Sequence, residues 1–233
     1  MISLFAWISG LSVFISLGSL IIVLSLFINP KHFDGFIKFF CRLVLRFLFI
    51  RVHVEGSGLI DRNKSCIFVS NHVNLFDPFV LYGYIPNFVR GVELETHFNW
   101  FFYGLIIRRL GMIPISHADT KGALRSLKLA KKHIQEGISI LILPEGGRTL
   151  DGNFKPFKRG AFYLAKAAGA DIVPLVMVDA YQINHKGSLR IRPGKMTLRF
   201  GRPIPSQQLE GLTVKDITTY IHSKMLALFT LRH

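Results

Sequence analysis

The sequence is short of acid and nearly free of cysteine. Over 233 residues, 14 Asp and Glu stand against 29 Lys and Arg, and only Cys41 and Cys66 carry thiols. Two cysteines exclude a disulfide framework or a thiolate metal cluster, and they fit a reducing compartment. The resulting net charge of +15 predicts an anionic partner: nucleic acid, a phospholipid surface or a phosphorylated small substrate. Charged residues are themselves scarce, at 18% against 50% hydrophobic, which excludes a disordered chain. Several catalytic signatures are missing too. There is no Gly-x-Ser-x-Gly elbow, no phosphate-binding Gly-x-x-x-x-Gly-Lys-Ser/Thr loop, and no His-Glu-x-x-His or Cys-x-x-Cys pair to hold a metal. Gly56-Ser57-Gly58 lacks the third glycine of a dinucleotide fingerprint.

Charge is wholly lacking from Met1 to Asn29. As a helix this run would extend about 43 Å, more than the roughly 30 Å core of a bilayer. It has no basic start and no small-residue cleavage site, so it does not read as a signal peptide. Membrane insertion is the expectation. Basic residues follow it (Lys31, Lys38, Arg42, Arg46) and none precedes it, which predicts that everything downstream faces the cytoplasm. From Phe33 to Val52, Asp34, Lys38, Arg42 and Arg46 recur every fourth residue along an otherwise apolar helix. That pattern suits an element lying at headgroup depth; a second spanning helix, or one packed on the following domain, remains open. The chain thus divides into a membrane-embedded or interfacial helical module, 1–52, and a second domain, 53–233. A bilayer anchor and the lack of any nucleic-acid-binding module remove nucleic acid from the partners.

The second domain alternates short apolar runs with helical patterns. Strands are predicted at Ser65–Ser70, Phe88–Leu94, Met112–Ile115, Ile138–Leu143 and Asp171–Val178. Helices are predicted at Asp77–Tyr84, Phe98–Arg109, Thr120–Glu136, Gly160–Ala168 and Val214–Leu231. Leu189–Arg192 and Met196–Phe200, separated by Pro193-Gly194-Lys195, predict a hairpin. The expected fold is α/β, a mixed, largely parallel sheet flanked by helices.

Two segments carry chemistry. The first is Ser70-Asn71-His72-Val73-Asn74-Leu75-Phe76-Asp77-Pro78, directly after a predicted strand. Asp77-Pro78 is a helix-start signal, with Asp as N-cap. His72 then sits at the rim of the sheet, where a carboxylate five residues on can fold back and fix its tautomer, freeing the other nitrogen as a general base. The plainer alternative is that Asp77 only caps and His72 only satisfies a loop carbonyl. The second segment is Ile140-Leu141-Ile142-Leu143-Pro144-Glu145-Gly146-Gly147-Arg148-Thr149, a buried strand running into a glycine-rich loop. Glycines admit an anion close to backbone N–H groups, and arginine offers phosphate a planar fork. Lys155, Lys158 and Arg159 follow, and a plain turn with a surface ion pair is the alternative.

Together these segments resemble the glycerolipid acyltransferase family, in its 1-acylglycerol-3-phosphate acyltransferase branch. Asn71-His72-x-x-x-x-Asp77 matches the family's His-x-x-x-x-Asp motif. Pro144-Glu145-Gly146-Gly147-Arg148-Thr149 is similar to Pro-Glu-Gly-Thr-Arg-Ser, with Gly147 for Thr and Thr149 for Ser. Phe157-Lys158-Arg159-Gly160-Ala161 and Ile172-Val173-Pro174-Leu175 are similar to the family's two later motifs. The resemblance covers about Val54 to Pro205. It implies acyl transfer from acyl-CoA or acyl-acyl carrier protein to a lysophospholipid hydroxyl, lysophosphatidate above all, without metal or cofactor. His72 would be the base, Asp77 its orienting partner, and Glu145, Gly146, Arg148 and Lys158 the acceptor's binding residues. One position departs from the family: in Gly111-Met112-Ile113-Pro114-Ile115-Ser116-His117, His117 stands where an acceptor-binding arginine is expected. Lys121, with Arg125, Lys128 and Lys132 on the same helix face, is the candidate replacement, or else forms a solvated or lipid-facing surface. A different lysolipid acceptor, such as a lyso-aminolipid, and a membrane thioesterase or lipase using the same His–Asp pair are the competing activities.

Overall fold

The computed structural model describes residues 2–116 and 120–231, without the side chains of Thr120 and Lys121. It opens with α1 (Ile2–Phe27), the one helix among the described residues long and apolar enough to cross a bilayer. Asn29 accepts from the Lys31 N–H and Pro30 starts a short turn, so the chain reverses into α2 (Asp34–Phe47). Phe49 takes a left-handed φ of 59° and turns the chain into β1 (Ile50–Glu55). The predicted helix Phe33–Val52 therefore ends early, and the expected junction at 52/53 falls inside a strand. Its alternating Ile-Arg-Val-His-Val-Glu pattern is that of a strand with one face buried.

The remaining elements are β2 (Ile67–Ser70), α3 (Asp77–Tyr84), β3 (Val89–Leu94), α4 (Phe101–Arg109), β4 (Ile113–Ile115), α5 (Thr120–Gln135), β5 (Ser139–Ile142), α6 (Gly160–Ala168), β6 (Ile172–Val178), α7 (Ala180–Ile183), β7 (Gly194–Phe200) and α8 (Val214–Thr230). The seven strands form one sheet in the order β1-β7-β6-β2-β5-β3-β4, parallel throughout except between β6 and β7. This is the mixed, largely parallel sheet expected. The predicted hairpin does not form. Leu189–Arg192 stays outside the sheet because its main-chain carbonyls are taken elsewhere: Trp7 Nε1 donates to Leu189 O (2.6 Å), Ser3 Oγ to Ile191 O (2.8 Å) and Asn184 Nδ2 to Arg190 O (3.1 Å). β7 pairs instead with β1 and β6.

Each face of the sheet has its own core. α5, α6 and α8 cover one, packing Phe162, Leu164, Ile217, Ile221 and Met225 on Ile67, Val69 and Ile172. α2, α3 and α4 cover the other, and α1 lies over them. Small residues let α1 approach: a Cβ at Gly10 would meet Leu48 at 2.5 Å, and one at Gly18 would meet Phe102 and Ile106 at 2.9 Å. Phe14 makes edge contacts with Phe79 and Phe102 (5.8 and 5.5 Å). Burial pushes the Cys66 thiol up to about 12, so it stays protonated and inert at neutral pH.

Candidate active site

β2 and β5 lie side by side and parallel, so their C-terminal ends open at one rim of the sheet, where loops of α/β folds gather ligands. The loop after β2 is held from beneath by two buried asparagines. Asn71 exchanges two hydrogen bonds with Met177 of β6: Nδ2 donates to its carbonyl (3.1 Å), and Oδ1 accepts from its N–H (2.8 Å). Asn74 donates to the Ala180 carbonyl (2.9 Å) and accepts from the Phe76 N–H (2.8 Å). The loop can hardly shift without stranding these groups.

Asp77 differs from its expected role. Phe76 occupies the N-cap position without a side-chain cap, and Asp77 is the first residue of α3, with Pro78 behind it. Its carboxylate turns back into the loop. Oδ2 meets His72 Nδ1 at 2.7 Å and accepts from the N–H groups of Val73 (2.6 Å) and Asn74 (3.1 Å). The carboxylate is fully buried, and Oδ1 has no hydrogen-bond partner among the described residues. Three contacts converging on one oxygen fix the carboxylate in the loop, and the imidazole is oriented by it. The His72 side chain is 25% exposed, and Nε2 engages no described residue, which leaves it open to the rim.

The glycine-rich loop after β5 is joined to this one through the main chain. Glu145, only 4% exposed, accepts from the His72 N–H through Oε1 (3.0 Å) and from the Lys155 N–H through Oε2 (3.2 Å). Its carboxylate thus frames the loops instead of facing outward to an acceptor as expected. Burial raises its pKa, opposed by those two N–H bonds. The Thr149 N–H donates back to the His72 carbonyl (2.9 Å). Thr149 Oγ1 bonds Asp151 Oδ1 (2.9 Å) and accepts from Gly152 N (3.2 Å), which closes the loop behind it. Gly146 takes a left-handed φ of 67°, and a Cβ there would meet Lys158 Cε at 2.5 Å and Nζ at 2.7 Å, so only glycine lets that lysine lie across the turn.

Of the expected site residues, His72, Asp77, Glu145, Gly146 and Lys158 come together at this rim. Arg148 stands half-buried in the same loop, its guanidinium engaged by no described residue. His117 lies outside the described residues, and so does the side chain of Lys121 at the start of α5. Asn74 was not foreseen as functional, nor was the pinning role of Asn71. The available signal was two asparagines in a loop between apolar elements, where burial would oblige them to find partners.

Over nearly its whole length the chain shares the α/β fold of a solved structure, the 1-acyl-sn-glycerophosphate (LPA) acyltransferase PlsC of Thermotoga maritima. The TM-score is 0.82 at 21% identity, covering 98% of this chain and 94% of that one. Residues 51–178, which include both loops, match the family model described as Acyltransferase, and the chain belongs to that family. Among curated relatives, it is 26% identical over 183 residues to the 1-acyl-sn-glycerol-3-phosphate acyltransferase of Cocos nucifera, covering 78% of this chain and 59% of that protein. It is 28% identical over 196 residues to the human 1-acyl-sn-glycerol-3-phosphate acyltransferase beta, covering 83% of this chain and 70% of that one. The chain thus spans about three-fifths of the length of the coconut relative.

Proposed function

We propose that the protein transfers an acyl group from a thioester, acyl-CoA or acyl-acyl carrier protein, to the free hydroxyl of a lysophospholipid, with lysophosphatidate to phosphatidate as the leading reaction. The observation that carries this reading is the 2.7 Å contact of His72 Nδ1 with a buried carboxylate, beside a glycine-rich loop whose Arg148 engages no described residue. The family and the names of its relatives support it.

In this mechanism His72 Nε2 removes the acceptor's hydroxyl proton as the oxygen attacks the thioester carbonyl carbon. The tetrahedral adduct then collapses, the C–S bond breaks, and the imidazolium returns its proton to the departing thiolate sulfur. Asp77 keeps the imidazole in the required tautomer and balances its transient charge. Such proton transfer is typically worth about 10²–10⁴-fold. Arg148 and Lys158 hold the acceptor's phosphate, and Glu145 positions the two loops that carry base and cation. No covalent enzyme intermediate is required.

The reaction takes place at a membrane surface. Ala6, Gly10, Gly18 and Ile21 of α1 are buried against the domain, while Leu4, Ile8, Leu11 and Ile15 form an exposed apolar stripe. Trp100 and Phe101 at the start of α4 and Phe39 and Phe47 of α2 are exposed as well, Phe101 by 97%. A helix packed along its own domain for most of its length supports embedding from one side. Spanning would draw Lys38, Arg42 and Arg46 of α2 into hydrocarbon. Embedded from one side, the helix carries nothing across the bilayer, so the catalytic domain stays on the cytoplasmic face with its basic residues toward anionic headgroups.

The test is to assay purified protein against a panel of lysolipids with one thioester donor, reading thiol release and product mass together. Acceptor-dependent thiol release with a diacyl product is expected. Free fatty acid without an acceptor would instead identify a thioesterase or lipase, and preference for a lyso-aminolipid would reassign the acceptor.

A further inference from the structure

Beyond the His72 rim, the β1 edge of the sheet carries two clefts that share a wall. The smaller, about 410 Å³, is apolar and lies between Ile2 and Phe5 of α1 and Phe49 and Pro193. The larger, about 930 Å³, begins at the same Phe49 and Pro193 and runs over Arg42, Arg46, Arg51 and Lys195. No residue of the His72 loop or the glycine-rich loop lines either cleft.

The cations of the larger cleft are arranged against their own electrostatic interest. Arg42 and Arg46 stand one turn apart on α2, and Arg51 and Lys195 are register partners on adjacent strands. Like charges at such spacings repel by a few tenths of a kcal/mol per pair. Among the described residues no carboxylate pairs with any of the four. Asp34, which opens α2, and Glu55, which ends β1, are committed elsewhere, to Lys38 (2.6 Å) and to Arg199 (2.5 Å). Among the described residues the Arg42 guanidinium meets the Tyr84 ring, 6.0 Å from its central carbon. A bound anion would relieve both repulsions at once.

The setting identifies the anion's source. Phe39 and Phe47 of α2 are exposed, as are Leu4, Ile8 and Leu11 of α1, whose Ile2 and Phe5 wall the apolar cleft. Arg42 and Arg46 are exposed on the same helix, Arg46 seven residues after Phe39 and next to Phe47. The basic cleft therefore adjoins, through Phe49 and Pro193, the apolar cleft walled by the exposed helix α1; cations beside exposed apolar side chains suit headgroup depth, and the apolar cleft suits a hydrocarbon chain.

We propose that the paired clefts bind an anionic phospholipid of the bilayer at a site separate from the His72 site. Its phosphate lies on Arg42, Arg46, Arg51 and Lys195, and part of an acyl chain lies against Ile2, Phe5, Phe49 and Pro193. A zwitterionic headgroup brings its own cation to the cluster and is excluded. The site depends on membrane attachment and is independent of acyl transfer, so either can fail without the other.

The experiment is native mass spectrometry of the full chain released from neutral detergent micelles doped with phosphatidylglycerol or phosphatidylcholine. One phosphatidylglycerol retained per chain is expected, and no phosphatidylcholine. Arg46→Gln with Lys195→Gln should weaken retention at least tenfold. The same charge removed elsewhere, by Lys186→Gln with Lys215→Gln, should leave it unchanged, as should Arg148→Ala and millimolar glycerol 3-phosphate. Thermal melting checks folding, and Arg42→Gln with Arg51→Gln replaces the first pair if that variant unfolds. Equal weakening by the two charge-removing variants would reduce the effect to general surface charge and overturn the site. Retention of phosphatidylcholine, loss of the lipid in Arg148→Ala, or displacement by glycerol 3-phosphate would each overturn it as well. The last two would point to the acyl-transfer site and to a soluble anion.

Discussion

In the loop after β2, the side chains of Asn71, Asn74 and Asp77 are at most 2% exposed and bond inward, to Met177, to Ala180 and to the loop's own N–H groups. In the loop after β5, Arg148 is half-buried and its guanidinium engages no described residue. The difference fits the two tasks proposed for these loops. A group that moves a proton must be fixed to a fraction of an ångström before substrate arrives, and every bond that fixes it is made in advance. A group that receives an anion keeps its donors open until the anion comes. Glu145 belongs to the first kind although it sits in the second loop, since both its oxygens are taken by main chain.

The sharpest way to break this contrast is Asp77→Asn. An amide keeps the shape but gives Val73, Asn74 and His72 a weaker and partly wrong acceptor, so turnover should fall about 10²–10⁴-fold with folding retained. Unchanged kcat would mean the carboxylate does no more than shape the loop. Arg148→Ala should come next, raising the acceptor's KM roughly tenfold or more while the donor's changes less, as expected for one lost charge-assisted bond. The opposite pattern would move Arg148 to the donor. Asn71→Ala leaves buried Met177 groups without their side-chain partner, at a cost of about 1–3 kcal/mol in denaturant unfolding, and should lower kcat more than it raises KM. The smallest effect concerns Glu145→Gln. Because burial raises the Glu145 pKa in the fold, the wild-type contribution is fully present below the ordinary glutamate pKa and is lost as pH rises through the raised value. The stability difference between the two proteins should therefore move in the variant's favour over that window and then level off. A flat difference from acid to neutral pH would show that Glu145 is not desolvated.

Much of this was legible in the sequence because it is local. Alternation and capping gave α3 and α6 at their observed bounds, and α5 and α8 to within a residue. His72 and Asp77 were legible because the four residues between them can hardly keep them apart. What escaped depends on distant partners. β1 follows an apolar helix without a break, and its strand identity comes from β7, where Arg51 pairs with Lys195. Leu189–Arg192 has strand-like alternation, but Ser3, Trp7 and Asn184 claim its carbonyls. The inward role of Asn71 rests on Met177, 106 residues away. The packing of α1 along the domain rests on Gly10 and Gly18, which in sequence read only as small residues in an apolar run.

The most direct test is His72→Ala in the full chain, measured as diacyl product formed per unit time with thioester donor and lysophosphatidate, alongside thermal melting. A folded protein whose product formation drops by about two to four orders of magnitude is the expected result. A folded variant that still acylates at the wild-type rate would contradict His72 as the base.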